Sequence, residues 1–169
     1  MTQLTYWADD FPVSYERLGL REPCRFRVMA WSERLQERWA DHQFDQRWEL
    51  LPQAAEPTRD FLSGLDVLVY EVSPRFSESW GRAVVEAMLT GAVPLIPAAS
   101  RHHLRNLVPH GVAGFHCEGQ ADYARYARLL QDEPERLAEM SRAARDWAES
   151  RLCNAEEHLA LWRGIFTMD

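Results

Sequence analysis

The chain contains 169 residues, of which 46% are hydrophobic and 27% are charged, and its formal net charge is −7. These values are typical of one globular domain, which at this length can bury a core without disulfides or a metal. The acidic balance argues against a dedicated nucleic-acid surface. All 19 basic residues are arginine, which excludes lysine Schiff-base chemistry and the lysine of a P-loop.

The sequence has no pattern that indicates a membrane segment or secretion. It lacks an apolar stretch of the ~20 residues that a membrane-spanning helix needs, and no basic segment followed by an apolar run stands at the N-terminus. Cys24, Cys117 and Cys153 are widely spaced and form no zinc-binding pattern. We therefore interpret them as packing thiols and expect a cytoplasmic protein that is not transmembrane.

Residues 1–24 mix aromatic and charged side chains without periodicity, and we interpret them as a leader or as the remnant of an interdomain connection. From residue 25 onward, strand-like segments alternate with helix-like ones. Pro57 and Gly64 bracket a short helix, at positions where a helix tolerates proline and where glycine commonly ends one. Strands are predicted at residues 26–30, 48–51, 65–70, 93–97 and 114–117, and helices at residues 32–40, 57–64 and 81–90.

The C-terminal part of the chain has helix signals. Asp132 and Pro134 mark one helix start, and Asn154 with Glu157 three residues later is typical of a capping pair. Residues 153–169 are predicted to form a last helix that docks on a missing N-terminal domain. The continuous hydrophobicity of residues 65–70 is typical of a parallel strand covered on both faces. The alternating pattern predicts an α/β, Rossmann-like parallel sheet with helices on both faces over residues 25–152.

One segment combines two carboxylates with a helix start. Residues 81–90 have almost no polar face, so this helix is expected to be buried all round, and Glu86 in its middle then needs a partner or a ligand. Glu78 lies eight residues earlier, and a helix that begins near Ser79 separates the two acids by roughly 10 Å at ~1.5 Å per residue. The free amides of a helix start attract phosphate, and Gly81 permits a close approach. This arrangement predicts a nucleotide-diphosphate sugar as the ligand.

The same segment resembles a known family motif. Residues 78–88 read E-S-W-G-R-A-V-V-E-A-M, which is similar to the Glu-x7-Glu motif, E-x-F-G-x-x-x-x-E-A-M, of retaining GT-B glycosyltransferases of the group 1, or family 4-like, type. Flanking segments are similar to that family in the same order, namely residues 61–70 (FLSGLDVLVY), 91–96 (GAVPLI), 110–115 (HGVAGF) and 143–145 (AAR).

The resemblance implies the donor-binding, C-terminal half of a GT-B fold, in an enzyme that transfers a hexosyl group to an acceptor. It implies that Glu78, as the catalytic-site acid, contacts the hydroxyls of the donor sugar, and that Glu86 holds the ribose hydroxyls. Ser79, Trp80, Gly81 and Arg82 are then expected to contact the sugar or the diphosphate, without a protein-bound metal. The acceptor half would be a missing N-terminal domain or a partner chain, and we expect this chain alone to have negligible transferase activity.

Several alternatives remain open from the residues alone. The basic pair with which the family clamps the diphosphate is missing here, and Arg21, Arg25 or Arg34 could substitute. Glu86 could simply pair with Arg82 one turn earlier, and Glu78 could be an ordinary first-turn acid. A self-standing module that binds a nucleotide or a partner without catalysis is the main alternative function, and a sugar-nucleotide epimerase is a third. The histidines at 102, 103, 110 and 116 are interpreted as solvated or structural, because their spacing suits no metal.

Overall fold

The computed structural model describes residues 11–73, 80–99 and 103–166, except for the side chains at positions 103, 158, 161, 162 and 164–166. Strands and helices alternate along the first two thirds of these residues, and helices follow. The strands are β1 (Phe26–Met29), β2 (Trp48–Leu51), β3 (Val67–Val69), β4 (Val93–Pro97) and β5 (Phe115–Cys117). The α-helices are α1 (Val13–Glu16), α2 (Glu33–Arg38), α3 (Thr58–Ser63), α4 (Arg82–Thr90), α5 (Gln120–Asp132), α6 (Pro134–Trp147) and α7 (Ala155–Phe166), with a 3₁₀ helix at His103–Asn106 and a π-helical turn at Ala148–Leu152.

All the strand pairs are parallel, and they form two separate sections. β1 pairs with β2, with Phe26 opposite Trp48. β3, β4 and β5 form the other section in that order. The predicted fold class, a Rossmann-like parallel sheet with helices on both faces as in one half of a GT-B fold, is confirmed. Among the described strands, none pairs with both β1 and β3.

The core lies on both faces of the strands. On one face, Leu18 after α1 and Leu130 of α5 pack against Val93 and Leu95 of β4. On the other face, α3 and α4 pack together through buried side chains that include Phe61. β4 is covered on both faces, since four of its five residues are buried, as the continuous apolar pattern of a central parallel strand predicts.

Several predicted helix starts agree with the structure, whereas one predicted strand is shorter than expected. Asn154 accepts hydrogen bonds from the backbone N–H groups of Glu156 and Glu157 at 3.1 and 3.2 Å, so the cap of α7 is confirmed. Pro134 occupies the first turn of α6 as predicted. The strand expected over residues 26–30 ends at Met29, because Ala30 has a φ of 72° and leaves the extended conformation.

Part of the segment 11–24 packs in the core, although its residues 21–23 are exposed. Phe11 and Leu18 are each 1% exposed. Phe11 contacts the rings of Tyr15, Trp31 and Trp48 at centroid distances of 5.2, 6.2 and 5.9 Å. Among the described helices none is both long and apolar enough to cross a membrane.

Candidate functional site

The carboxyl ends of β1 and β3 and the amino end of α4 meet at one edge of the molecule. In parallel α/β sheets ligands bind at this edge, beyond the carboxyl ends of the strands. A cavity of about 1020 Å³ lies between β1 and β3 and reaches this edge. Met29 lines it from β1, Tyr70 and Glu71 line it just after β3, and Ala83 and Glu86 line it from α4.

The amino end of α4 is open. Gly81 precedes the helix in the left-handed region, with φ 68° and ψ 47°, and among the described residues no side chain caps the helix. The Gly81 carbonyl accepts hydrogen bonds from the N–H groups of Val84 and Val85 at 2.9 and 3.2 Å. The preceding amides, including those of Arg82 and Ala83, have no acceptor within the helix, because the first turn never supplies one. These amides and the helix dipole give this end a partial positive charge that favours an anion.

The sequence expectations for α4 need two corrections. The helix begins at Arg82, within one residue of the predicted range 81–90, and not near Ser79 as the estimated separation of the two acids assumed, because Gly81 adopts a left-handed conformation there. Nor is the helix buried all round: Val84, Ala87 and Met88 are buried, whereas Arg82 and Ala83 are exposed. The reason is that the first turn of α4 projects at the edge of the sheet, where no other described element covers one of its sides.

Glu86 is accordingly accessible rather than buried. Its side chain is 42% exposed, and a carboxylate oxygen lies 3.4 Å from Nε of Arg82, whose side chain is 86% exposed. The ordinary i, i+4 pairing that the sequence left open therefore exists. An exposed pair of this kind is weak, worth about 0.3–0.5 kcal/mol. Glu86 thus lines the cavity with a partner that a ligand could readily displace.

A second carboxylate at this edge was missed by the sequence analysis. Glu71 follows β3 by two residues and lines the same cavity as Glu86. Burial, and after it the charge of Glu71, raises the pKa of Tyr15. Burial also raises the pKa of Tyr123, and the charge of Glu71 adds to that rise. The Tyr123 hydroxyl donates a hydrogen bond to the Tyr70 carbonyl at 3.1 Å. Its position directly after an apolar strand was the signal that could have identified it.

The remaining predicted site residues divide into two groups. Glu78 and Ser79 lie outside the described residues. Trp80 is described, and half of its surface is exposed beside the open end of α4. Gly81 and Arg82 form the start of that helix.

The fold separates the three arginines that were candidates for the diphosphate. Arg25 directly precedes β1, so it lies toward the amino edge of the strands. Arg21 pairs with Asp132, the last residue of α5, and α5 runs back from the carboxyl end of β5 toward that same amino edge. Arg34 alone follows the carboxyl end of β1, in the first turn of α2, where it is exposed.

The described histidines form structural contacts. His110 Nδ1 accepts a hydrogen bond from the backbone N–H of His116 at 2.9 Å, and His116 Nε2 lies 2.7 Å from the Val108 carbonyl oxygen. Burial lowers the pKa of His116. No group of three potential metal ligands occurs among the residues that the structure describes.

Comparison with solved structures identifies the fold. The chain matches the crystal structure of Anabaena Alr3699/HepE in complex with UDP and glucose at a TM-score of 0.72 and 17% identity, covering 94% of this chain and 45% of that one. It matches HepE in complex with UDP-glucose at a TM-score of 0.67 and 18% identity, covering 86% and 41%. It matches TarM at a TM-score of 0.72 and 15% identity, covering 92% and 31%.

The chain shares the fold of part of HepE and TarM. It spans less than half the length of either. No protein-family model and no curated protein sequence matches it. Since the identities are below 20%, the likeness concerns the fold, and function has to be argued from the site.

Proposed function

We propose that this chain is the nucleotide-sugar donor-binding half of a retaining GT-B glycosyltransferase, which transfers a hexosyl group only together with an N-terminal acceptor-binding half. The observation that carries the proposal is the position of Glu86. It lies one turn inside α4, beside the uncapped amino end of that helix, and lines the cavity at the carboxyl edge of the strands.

The proposed roles follow from chemistry along α4. The diphosphate binds at the open first turn, where the amides of Trp80, Gly81 and Arg82 donate hydrogen bonds. Glu86 lies about 6 Å farther along the helix axis, four residues at ~1.5 Å each, and accepts hydrogen bonds from the ribose hydroxyls. Hydrogen bonds to an ionised carboxylate are stronger than hydrogen bonds between neutral groups. They are therefore strong enough to displace the weak contact between Glu86 and Arg82.

On the other side of the diphosphate, Glu78 and Ser79 bind the donor sugar in this proposal, with Glu78 as the acid that contacts the transferred hexosyl group. The resemblance of residues 78–88 to the Glu-x7-Glu motif supports these roles. Arg34 and Arg82 supply positive charge at this edge, in place of the basic pair that the family uses. No protein-bound metal is part of the proposal, because helix amides and guanidinium groups neutralise the diphosphate.

The deciding experiment is calorimetric titration of the chain with UDP, UDP-glucose, GDP-sugars and ADP-sugars, repeated on Glu86→Gln. HepE has been solved with UDP and with UDP-glucose, so uridine nucleotides are the first probes. We expect the parent to bind one nucleotide class and Glu86→Gln to bind it ~10- to 100-fold more weakly, as the loss of charged hydrogen bonds worth about 1.5–3 kcal/mol implies.

Glu139→Gln is the matched control. Glu139 is an exposed glutamate of α6 that does not line the cavity between β1 and β3. We expect its nucleotide affinity to equal that of the parent. Absence of binding by the parent at millimolar nucleotide, or an equal loss in both variants, would contradict the donor-site proposal.

A non-catalytic nucleotide- or partner-binding module is the second candidate, since a fold by itself does not imply catalysis. Transferase assays distinguish the two. The first candidate predicts negligible transfer by the chain alone, because the leaving diphosphate stays open to water. It also predicts that an acceptor-binding half restores transfer, whereas a binding module predicts nucleotide binding without transfer under either condition.

A further inference from the structure

The imidazole of His110 occupies the place of a neighbouring strand beside β5. β5 pairs with β4 on one side, where the carbonyl of Cys117 accepts a hydrogen bond from the N–H of Ala98 at 2.9 Å. Peptide groups alternate in direction along a strand, so the preceding residue, His116, directs its N–H to the other side. There it donates to Nδ1 of His110 at 2.9 Å. The backbone donor of β5 that faces away from β4 is thus satisfied by a side chain.

This outer side of β5 is a strand edge. Among the described strands, β5 pairs only with β4. An unpaired N–H at such an edge can bond a further strand, and native proteins cover it with side chains or loops. The N–H of Glu118, two residues after that of His116, donates to Oδ2 of Asp122 at 3.0 Å. One imidazole and one carboxylate therefore close this edge.

The hydrogen bond also fixes which ring nitrogen of His110 carries the proton. A backbone N–H can only donate, so Nδ1 is the unprotonated nitrogen and the proton lies on Nε2. An imidazolium carries a proton on both nitrogens and accepts no hydrogen bond. A positive charge on His110 therefore removes the acceptor of the outer N–H of β5.

The ring of His110 lies in a cluster of other rings. It contacts the rings of Phe115, His116 and Tyr126 at centroid distances of 5.7, 5.0 and 5.9 Å. Among the histidines whose side chains the structure describes, His42 alone pairs with a carboxylate. A charged His110 therefore gains no ion pair in return for the hydrogen bond that it loses.

Charged groups face this cluster from every element around it, and three of the four are cations. They are Arg105 of the 3₁₀ helix and Glu118 after β5, whose charges act on the pKa of His116, Arg125 of α5, which donates to the Tyr126 hydroxyl at 2.6 Å, and Arg136 of α6, which lies 5.9 Å over the Phe115 ring. These surroundings do not favour a second bond that would hold the charged ring in place.

His116 is held in its neutral form. Its Nε2 lies 2.7 Å from the Val108 carbonyl oxygen, and the residue is half-buried. Burial lowers the pKa of His116, the bond to Val108 opposes that effect, and the charge of His110 adds to it. Protonation of His116 is therefore disfavoured, whereas His110 is exposed to solvent.

We propose that His110 is a pH-sensitive guard of the β5 edge. As a neutral imidazole it accepts the outer N–H of β5 and closes the edge. As an imidazolium it releases that N–H, so the edge of β5 opens in acid while the pairing of β5 with β4 persists. Histidine is the side chain whose charge ordinarily changes between pH 5 and 8. This inference does not depend on the proposed donor site.

The opening is local, because the turn that carries His110 is held in other ways. The turn over residues 109–114 is closed by its own backbone bonds, and that from the N–H of Gly111 to the carbonyl of Gly114 is 2.8 Å long. Val108 and Ala113, near its two ends, have 0% exposure. Loss of one hydrogen bond therefore frees the outer amide without unfolding the turn.

Hydrogen exchange measured amide by amide at about pH 7.5 and about pH 5.5 tests the proposal, with each rate corrected for intrinsic exchange. We expect the protection of the His116 amide to fall about three- to tenfold at the lower pH, as the loss of one hydrogen bond implies. The amides of Glu118 and Ala98, which have other acceptors, should change less than about twofold. Equal protection of His116 at both pH values would overturn the proposal.

His110→Asn and His110→Ala form a matched pair. The side-chain oxygen of asparagine can accept in place of Nδ1 and does not titrate, so the His116 amide should be equally protected at both pH values. Alanine supplies no acceptor, so its protection should be low at both. His116→Gln keeps a donor for the Val108 carbonyl and should retain the parent's response. A parent-like loss in His110→Asn, or no loss in His116→Gln, would assign the effect to another group and overturn the proposal.

Nitrogen-15 resonances of the His110 ring in the parent chain give an answer even where a variant fails to fold. At about pH 7.5 we expect an unprotonated Nδ1 and a protonated Nε2. On acidification the His110 ring and the His116 amide should titrate with one midpoint. A proton on Nδ1 at about pH 7.5, or two different midpoints, would contradict the role assigned to His110.

Discussion

Nε of Arg82 lies 3.4 Å from a carboxylate oxygen of Glu86, one turn along α4 and at the rim of the cavity. The pair holds a carboxylate in position at the site without burying it. Because the Arg82 side chain is 86% exposed, water competes for both charged groups, and the contact contributes little to the stability of the fold.

Arg82→Ala is therefore expected to change the free energy of unfolding by less than about 0.5 kcal/mol. Urea denaturation monitored by circular dichroism measures this value, with Glu86→Gln in parallel. Both variants should unfold at nearly the parent's urea concentration, so that a loss of nucleotide binding reports on the site. A loss above about 1.5 kcal/mol in either variant would mean that the pair has a structural role.

Met88→Ala is expected to be strongly destabilising, because the opposite side of the same helix is fully buried. Met88 has 0% exposure and packs among Val84, Ile96 and Leu104. Removal of a buried methionine side chain costs about 2–5 kcal/mol through lost contacts and the cavity left behind. Leu89→Ala, at a partly buried position, should cost less. Equal losses at the two positions would contradict the burial of α4 described above.

Gly114→Ala and Gly119→Ala are expected to change the free energy of unfolding by different amounts, although both glycines lie near β5. A Cβ at Gly114 would lie 2.5 Å from the Pro94 carbonyl oxygen and 2.7 Å from a Val108 methyl group, so backbone has to shift. We expect a loss of about 1–3 kcal/mol in thermal or urea denaturation. At Gly119 nothing lies within 4 Å, and the backbone is extended, so stability should stay within about 1 kcal/mol of the parent.

The contribution of His116 to stability is expected to fall in acid. Burial lowers the pKa of His116 below the value in the unfolded chain, about 6.5, so the unfolded state binds the proton more readily. The stability that depends on neutral His116 is therefore fully present above pH 6.5 and is lost as the pH falls below it, toward the lower pKa of the folded state.

His116→Gln isolates this effect, since its amide nitrogen can still donate to the Val108 carbonyl without titrating. The unfolding free energy of the parent minus that of this variant should be constant above about pH 7 and should decrease as the pH falls toward 5. A pH-independent difference would show that His116 has the same pKa in both states.

Much of the fold could be predicted from local patterns. The apolar runs at residues 48–51 and 93–97 correspond to β2 and β4, and the cap at Asn154 and the proline at 134 begin helices as expected. These signals depend on neighbours within a few residues, which a sequence displays directly. The predicted boundaries were wrong where backbone geometry intervened, as at Ala30 and Gly81, each in the left-handed region.

The candidate site was predictable only in part for the same reason. The motif identified the α4 start and Glu86, and the order of flanking segments indicated the fold class. It could not show that Glu86 is partly exposed, because an apolar run does not reveal which side of a helix its neighbours leave open. Glu71 escaped notice because it lies 15 residues from Glu86 in the sequence and their relation depends on where β3 ends.

The sequence by itself thus determined which segments are strands and helices, and it indicated a parallel α/β arrangement, because both follow from hydrophobic periodicity. Only the tertiary structure decided which distant residues meet. It divided Arg21 and Arg25 from Arg34 by sending them to opposite edges, and it placed Glu71 and Glu86 on the same cavity. Such relations depend on the direction and order of crossovers, which join residues far apart in the chain and have no local signature.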